Sequence, residues 1–79
     1  MSRDDIKKTV FEIFTDLLDD DSVTVDENTS RENNAEWDSL FHMAFMATVA
    51  EEFSVQFKTE DIVAAHDLGK VIDLVEEQV

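Results

Sequence analysis

"EWDSLFHMAFMATVAEEFSVQF", residues Glu36 to Phe57, decides how this chain folds. Phe45, Val49 and Phe53 recur within it at i+4 steps, with Met46 beside them, which is the spacing of one face of an α-helix and not of a strand. The stretch therefore reads as a helix that starts at Asp38 or Ser39 and runs to about Phe53, with those four residues turned to a core. Val55 and Phe57 alternate around Gln56, so the helical period stops there.

Toward the N-terminus, Ser22 to Glu36 is polar and aperiodic apart from Val23 and Val25, which can pin an otherwise long loop to the core. Loops of this length are uncommon in compact domains and are often functional. Ahead of it, Ile6, Val10, Ile13, Phe14 and Leu17 fall on one helical face between about Arg3 and Leu18, with Ser2 available as a cap. Asp19, Asp20 and Asp21 follow, an unfavourable run for the negative end of a helix dipole that helps to end the helix. Toward the C-terminus, Thr59 can cap a short helix through Ala65 that buries Ile62. Asp67 then caps a last helix with Leu68, Val71, Ile72 and Val75 inward and Lys70, Asp73, Glu76 and Glu77 outward. The expected fold is all-α: one domain over residues 1–79, a small four-helix bundle with a long loop between its first and second helices and a short third helix.

Composition agrees. Six Phe and one Trp against one Gly and no Pro, at 43% hydrophobic residues, suit packed helices better than a β-rich fold. Cysteine is absent, which removes disulfides and thiolate metal sites and fits a reducing cytoplasmic setting. The opening "MSRDDIKKTVFEIF" reads as neither a signal peptide nor a membrane span. A formal charge of −14 repels nucleic acid and anionic membrane and favours basic protein surfaces as partners. Asp19, Asp21, Asp26 and Glu27 invite a calcium reading. In the register starting at Asp20, however, Val25 stands where an EF-hand needs glycine and Arg31 where it needs the bidentate acid, so no metal site is assigned.

The chemistry concentrates at Asp38-Ser39. Asp or Ser before a helix is a common cap. If Asp38 caps, its carboxylate serves the free amide of Leu40 or Phe41, and the Ser39 hydroxyl is left over at the first helical position. There the exposed amides and the macrodipole favour an anion such as a phosphate ester. An Asp38-Ser39-His42 hydrolase lacks a Gly-rich oxyanion turn, and near neighbours in sequence rarely give triad geometry, so no catalytic residues are assigned. His42 and His66 read as ordinary surface or boundary residues.

From "EWDSLFHMAFMATVAEEFSVQF", together with the first helix, the "VTVDENTSRENNAEW" loop, "FSVQFKTEDI" and "HDLGKVIDLV", the chain resembles the acyl carrier proteins over roughly Ile6 to Glu77. The resemblance implies that Ser39 receives a 4'-phosphopantetheine arm from coenzyme A through a magnesium-using phosphopantetheinyl transferase. The arm's thiol would then hold acyl groups as thioesters. Ser39 would thus be an acceptor and not a nucleophile needing an activating base. Asp38 would help to position the transferase. Leu40, Phe41, Met43, Ala47, Glu51 and Glu52 would select partner enzymes: an acyl- or aminoacyl-loading ligase or synthetase, and acyl-transferring or synthase enzymes with basic or apolar docking surfaces. Central fatty-acid carriers usually show acids just after the motif, where this chain has Phe41 and Ala44, and this departure points to a dedicated carrier with few partners; the resemblance further implies a freestanding monomer. An exposed Phe41 and Met43 would form a patch beside Ser39; alternatively Phe41 packs on Trp37. Phe45, Met46, Val49, Ile62, Leu68 and Val71 are core positions able to border an acyl cavity, which the bulk of Phe45 would keep small. Two other readings stay open: a peptidyl or aminoacyl carrier loaded by an adenylating enzyme, and an acidic helical adaptor without a prosthetic group.

Overall fold

The structure, a computed structural model, describes residues 1–20 and 22–79. The parts given to Asp21 in ending the first helix and in the cation reading lie outside the described residues. Among those residues the chain forms four helices: α1 (Arg3–Leu18), α2 (Ser39–Phe53), α3 (Thr59–Ala64) and α4 (Leu68–Glu76). The only β-type pairing among them is an isolated bridge between Ser30 and Asp67.

α1 begins as its sequence dictates. The Ser2 hydroxyl accepts from the Asp5 amide at 3.2 Å, and Asp4 and Asp5 place negative charge on the positive end of the helix. Ile6, Val10 and Phe14 are fully buried, and α1 packs on both α2 and α4. The stripe is not covered to its end. Leu17 is 39% exposed, and in this last turn Leu18 packs on the core in its place. Asp19 closes the helix in the left-handed region (φ 56°), its amide reaching the Thr15 and Asp16 carbonyls, so backbone geometry terminates the helix as well as charge.

α2 buries Phe45, Met46 and Val49, while Phe53 packs half-buried against them. It ends on Ser54, also left-handed (φ 55°), with the Val55 amide donating to the Ala50 carbonyl at 3.0 Å. That conformation crowds the Cβ of an L-residue and is where glycine is normally found. Ser54→Gly is therefore expected to raise stability by about 0.5–1 kcal/mol, read as a higher urea midpoint at unchanged slope. A midpoint at or below that of the parent would show that the Ser54 conformation carries no strain.

α3 corrects two expectations. Its N-cap is Lys58 and not Thr59, with the Lys58 amide donating to the Asp61 carboxylate at 3.1 Å, and it ends at Ala64 and not Ala65. Thr59 is already helical, because Asp61 does the capping from inside the first turn. α3 has no fully buried residue; Ile62 is its half-buried contact with the core. α4 is capped by Asp67, whose carboxylate accepts from the Lys70 amide at 2.7 Å, and buries Leu74 in addition to Leu68, Val71, Ile72 and Val75.

The α1–α2 loop is stitched to the start of α4 by backbone bonds. The Leu68 amide donates to Thr29 O, the Gly69 amide to Glu27 O (both 2.9 Å) and the Arg31 amide to His66 O (3.0 Å). The chain's single glycine permits this approach, since a Cβ at Gly69 would meet the Glu27 carbonyl oxygen at 3.0 Å. Val25 packs against the core as expected, and Val23 is half-buried. The Arg3 guanidinium adds a charge clamp, reaching Glu27 (2.6 Å), Asp73 (2.9 Å) and Glu76 (2.9 Å), and so ties the start of α1 to the loop and to α4. Among the described residues, no helix is long and apolar enough to cross a membrane.

Candidate functional site

Asp38 precedes α2 in extended backbone, and its carboxylate accepts from the Phe41 amide at 2.9 Å. With the cap provided by Asp38, the Ser39 hydroxyl at the first helical position is exposed and has no hydrogen-bond partner among the described residues. Leu40 (85% exposed) and Met43 (56%) stand beside it, and Ala47, Glu51 and Glu52 continue outward along the helix.

Phe41 does not join that surface. It is half-buried, its ring stacked on Phe45 (6.2 Å between centroids) and edge-on to Phe14 (5.3 Å), so it packs into the aromatic core and not onto Trp37. The exposed apolar patch consists instead of Leu40 and Met43, with Val63 of α3 (70% exposed) added across the gap.

His42 is the main correction. Far from being a surface residue, it is buried beside Trp37. The Trp37 Nε1–H donates to His42 Nδ1 at 2.9 Å, so Nδ1 is the unprotonated nitrogen. Nε2 then carries the hydrogen and donates to the Ile62 carbonyl at 2.7 Å. One imidazole thereby joins the approach loop, α2 and α3. Burial pushes its pKa below the ordinary histidine value, the bond to Ile62 opposes that, and the positive charge of Arg31 adds to the lowering. Both ring nitrogens are engaged, so neither faces Ser39 as a base. The helical period contained the signal: His42 stands three, four and seven residues before Phe45, Met46 and Val49, on the core side of α2. His66 is exposed, as expected.

Next to Ser39 a cleft of about 190 Å³ opens between the start of α2 and α3, lined by Arg31, Ser39, His42, Met43, Ile62 and Val63. It is not the core cavity expected from the sequence. Of the six positions proposed to border one, only Ile62 lines the cleft, while Phe45, Met46, Val49, Leu68 and Val71 are packed shut in the interior. Arg31 and Val63 were missed because no local pattern marks them: the backbone bond to His66 and the placement of α3 bring them here. Glu27 and Asp26, two of the acids in the calcium reading, do not form a cation site. Glu27 is held by Arg3 and Lys7, and no cluster of three or more His, Cys, Asp or Glu able to hold a metal occurs among the described residues.

Fold and site together define a small acidic helical protein that presents one unencumbered serine at a helix start, on the rim of a mostly apolar cleft. No protein-family model matches the chain, and no curated protein matches it significantly.

Proposed function

We propose that this protein is an acyl carrier whose Ser39 bears a 4'-phosphopantetheine arm and that it serves a dedicated cytoplasmic biosynthetic pathway. The observation that carries the reading is the division of labour at the start of α2: Asp38 caps, and the Ser39 hydroxyl is exposed and unused. The residues present fit the group. A primary alcohol stands at the positive end of a helix, where the first amides favour a phosphate, and the adjoining cleft offers one cation and apolar walls.

In loading, the Ser39 oxygen forms a bond to the phosphorus that carries the pantetheine of coenzyme A. The bond from that phosphorus to the adenosine 3',5'-bisphosphate breaks, and the serine proton is lost. Once attached, the arm supplies a thiol that holds acyl groups as thioesters. The chain's own contribution is presentation. Asp38 fixes the helix start, while Leu40 and Met43, with Ala47, Glu51 and Glu52 further along, form a surface that is apolar near Ser39 and acidic beyond, suited to enzymes with apolar and basic docking sites.

The test is intact mass after incubation with coenzyme A, magnesium and a broad-specificity phosphopantetheinyl transferase, beside Ser39→Ala. The parent is expected to gain one phosphopantetheinyl group and the variant none. Because the hydroxyl makes no bond among the described residues, the variant should keep the parent's stability to within about 0.5 kcal/mol. Folded parent protein that gains no mass with several transferases would sink the carrier reading and leave the helical adaptor.

A further inference from the structure

Arg31 is set apart by its place. Like Lys8, Lys58 and Lys70 it forms no ion pair among the described residues, but it alone of the basic residues lines the cleft beside Ser39. Its position is fixed, since its amide donates to His66 O at 3.0 Å within the stitch between loop and α4. Its side chain is half-buried and lines the cleft whose rim carries Ser39. The remaining wall is Met43, Ile62 and Val63, with His42 at the back bonded to Trp37 and Ile62. The cleft is thus apolar with a single cation beside an attachment point.

Resting on the carrier reading above, we infer that this cleft seats the proximal part of the arm, with Arg31 paired to the phosphodiester and Met43, Ile62 and Val63 packed on the branched aliphatic carbons that follow it. The chemical order matches. The group attached to Ser39 begins with an anion and continues with a carbon bearing two geminal methyls, and the cleft sets its cation and its apolar wall side by side next to that serine. The size matches as well, because a cavity of roughly 150 Å³ holds a benzene-sized group, so about 190 Å³ accommodates the phosphodiester and dimethyl carbons. A guanidinium suits the task because its planar fork meets two phosphate oxygens at once. Arg31 is a positioning residue here: it holds the root of the arm, and the thiol end stays outside for partner enzymes.

Loading adds a negative charge to a chain already at −14, so an unpaired phosphodiester should lower stability, whereas one paired to Arg31 should raise it. The experiment compares Tm before and after loading for the parent, Arg31→Gln and Arg31→Lys, and records NOEs from the geminal methyls of the arm to the Ile62 and Val63 methyls in the loaded proteins. The expected result is a rise of about 2–4 °C on loading for the parent, no rise or a fall for Arg31→Gln, and an intermediate value for Arg31→Lys. The NOEs should be present in the parent and lost in Arg31→Gln. Absence of those NOEs in the loaded parent, or an equal response of parent and Arg31→Gln in either measurement, overturns the inference. Failure of the parent to load is a different outcome, visible by mass, and overturns the carrier reading itself. Arg31→Lys keeps the charge, so it provides the comparison even if Arg31→Gln folds poorly.

Discussion

Phe14→Ala is expected to cost about 3–5 kcal/mol, enough to leave much of the protein unfolded at 37 °C. Phe14 is fully buried in α1, and its ring meets three others edge-on: Trp37 at 5.0 Å, Phe41 at 5.3 Å and Phe45 at 5.3 Å between centroids. Deleting it removes the transfer free energy of the ring, those aromatic contacts and the packing that joins α1 to α2 and to the end of the loop. With 79 residues and no cysteine to cross-link them, the whole domain holds a margin of roughly 4–12 kcal/mol. Leu17→Ala, on the same helix but 39% exposed, should cost less than about 1 kcal/mol. Urea unfolding of the two variants checks the contrast. A loss below about 1.5 kcal/mol for Phe14→Ala would mean that the neighbouring rings collapse into the vacated space.

The second large effect belongs to His42. His42→Phe keeps a ring of similar size but leaves the Trp37 N–H and the Ile62 carbonyl without their partner. A stranded buried group costs about 1–3 kcal/mol, and the Ile62 bond is only part-buried, so a loss of roughly 2–6 kcal/mol, toward the lower end, is expected. The pH dependence carries an independent signature. Burial lowers the His42 pKa in the folded state relative to about 6.5 in the unfolded chain. Above the unfolded value both states are neutral and the stability contributed by the neutral imidazole is fully present. As pH falls below it, the unfolded chain takes up a proton that the folded chain refuses, and stability is lost progressively until the folded value is passed. Acidification also relieves the self-repulsion of the acidic chain, an opposite effect that the parent and the variant share. Between pH 7.5 and 5.5 the parent should therefore lose stability relative to His42→Phe. Parallel profiles over that interval would show that His42 titrates as a solvent-exposed imidazole and is not sealed by Trp37.

Much of the architecture was written in periodicity. The faces of α1, α2 and α4 follow from i+4 spacing, and the caps at Ser2, Asp38 and Asp67 follow from side-chain chemistry that acts within three residues. The exposed, unused hydroxyl of Ser39 was legible for the same reason, because it depends only on which neighbour caps the helix. Much of what escaped reading depends on partners distant in sequence. The Arg3 clamp spans from residue 3 to residue 76, and Arg31 lines the cleft only because the loop is bonded to the start of α4. Leu17 lies on the apolar stripe yet is left uncovered, which the stripe itself cannot reveal. The third-helix cap was misplaced by one residue because a lysine offers no capping oxygen; Asp61 supplies it from within the helix.

The packing of α1 on α4 has a consequence for synthesis. In synthesis α1 is made before α4, so the apolar face of Ile6, Val10 and Phe14 waits without one of its two helical partners until α4 has followed it. Arg3 waits as well, because two of its three carboxylates, Asp73 and Glu76, come with α4. Closure of α1 on α4 accordingly waits for α4 to be made, with the acidic charge keeping the earlier segments dispersed until then.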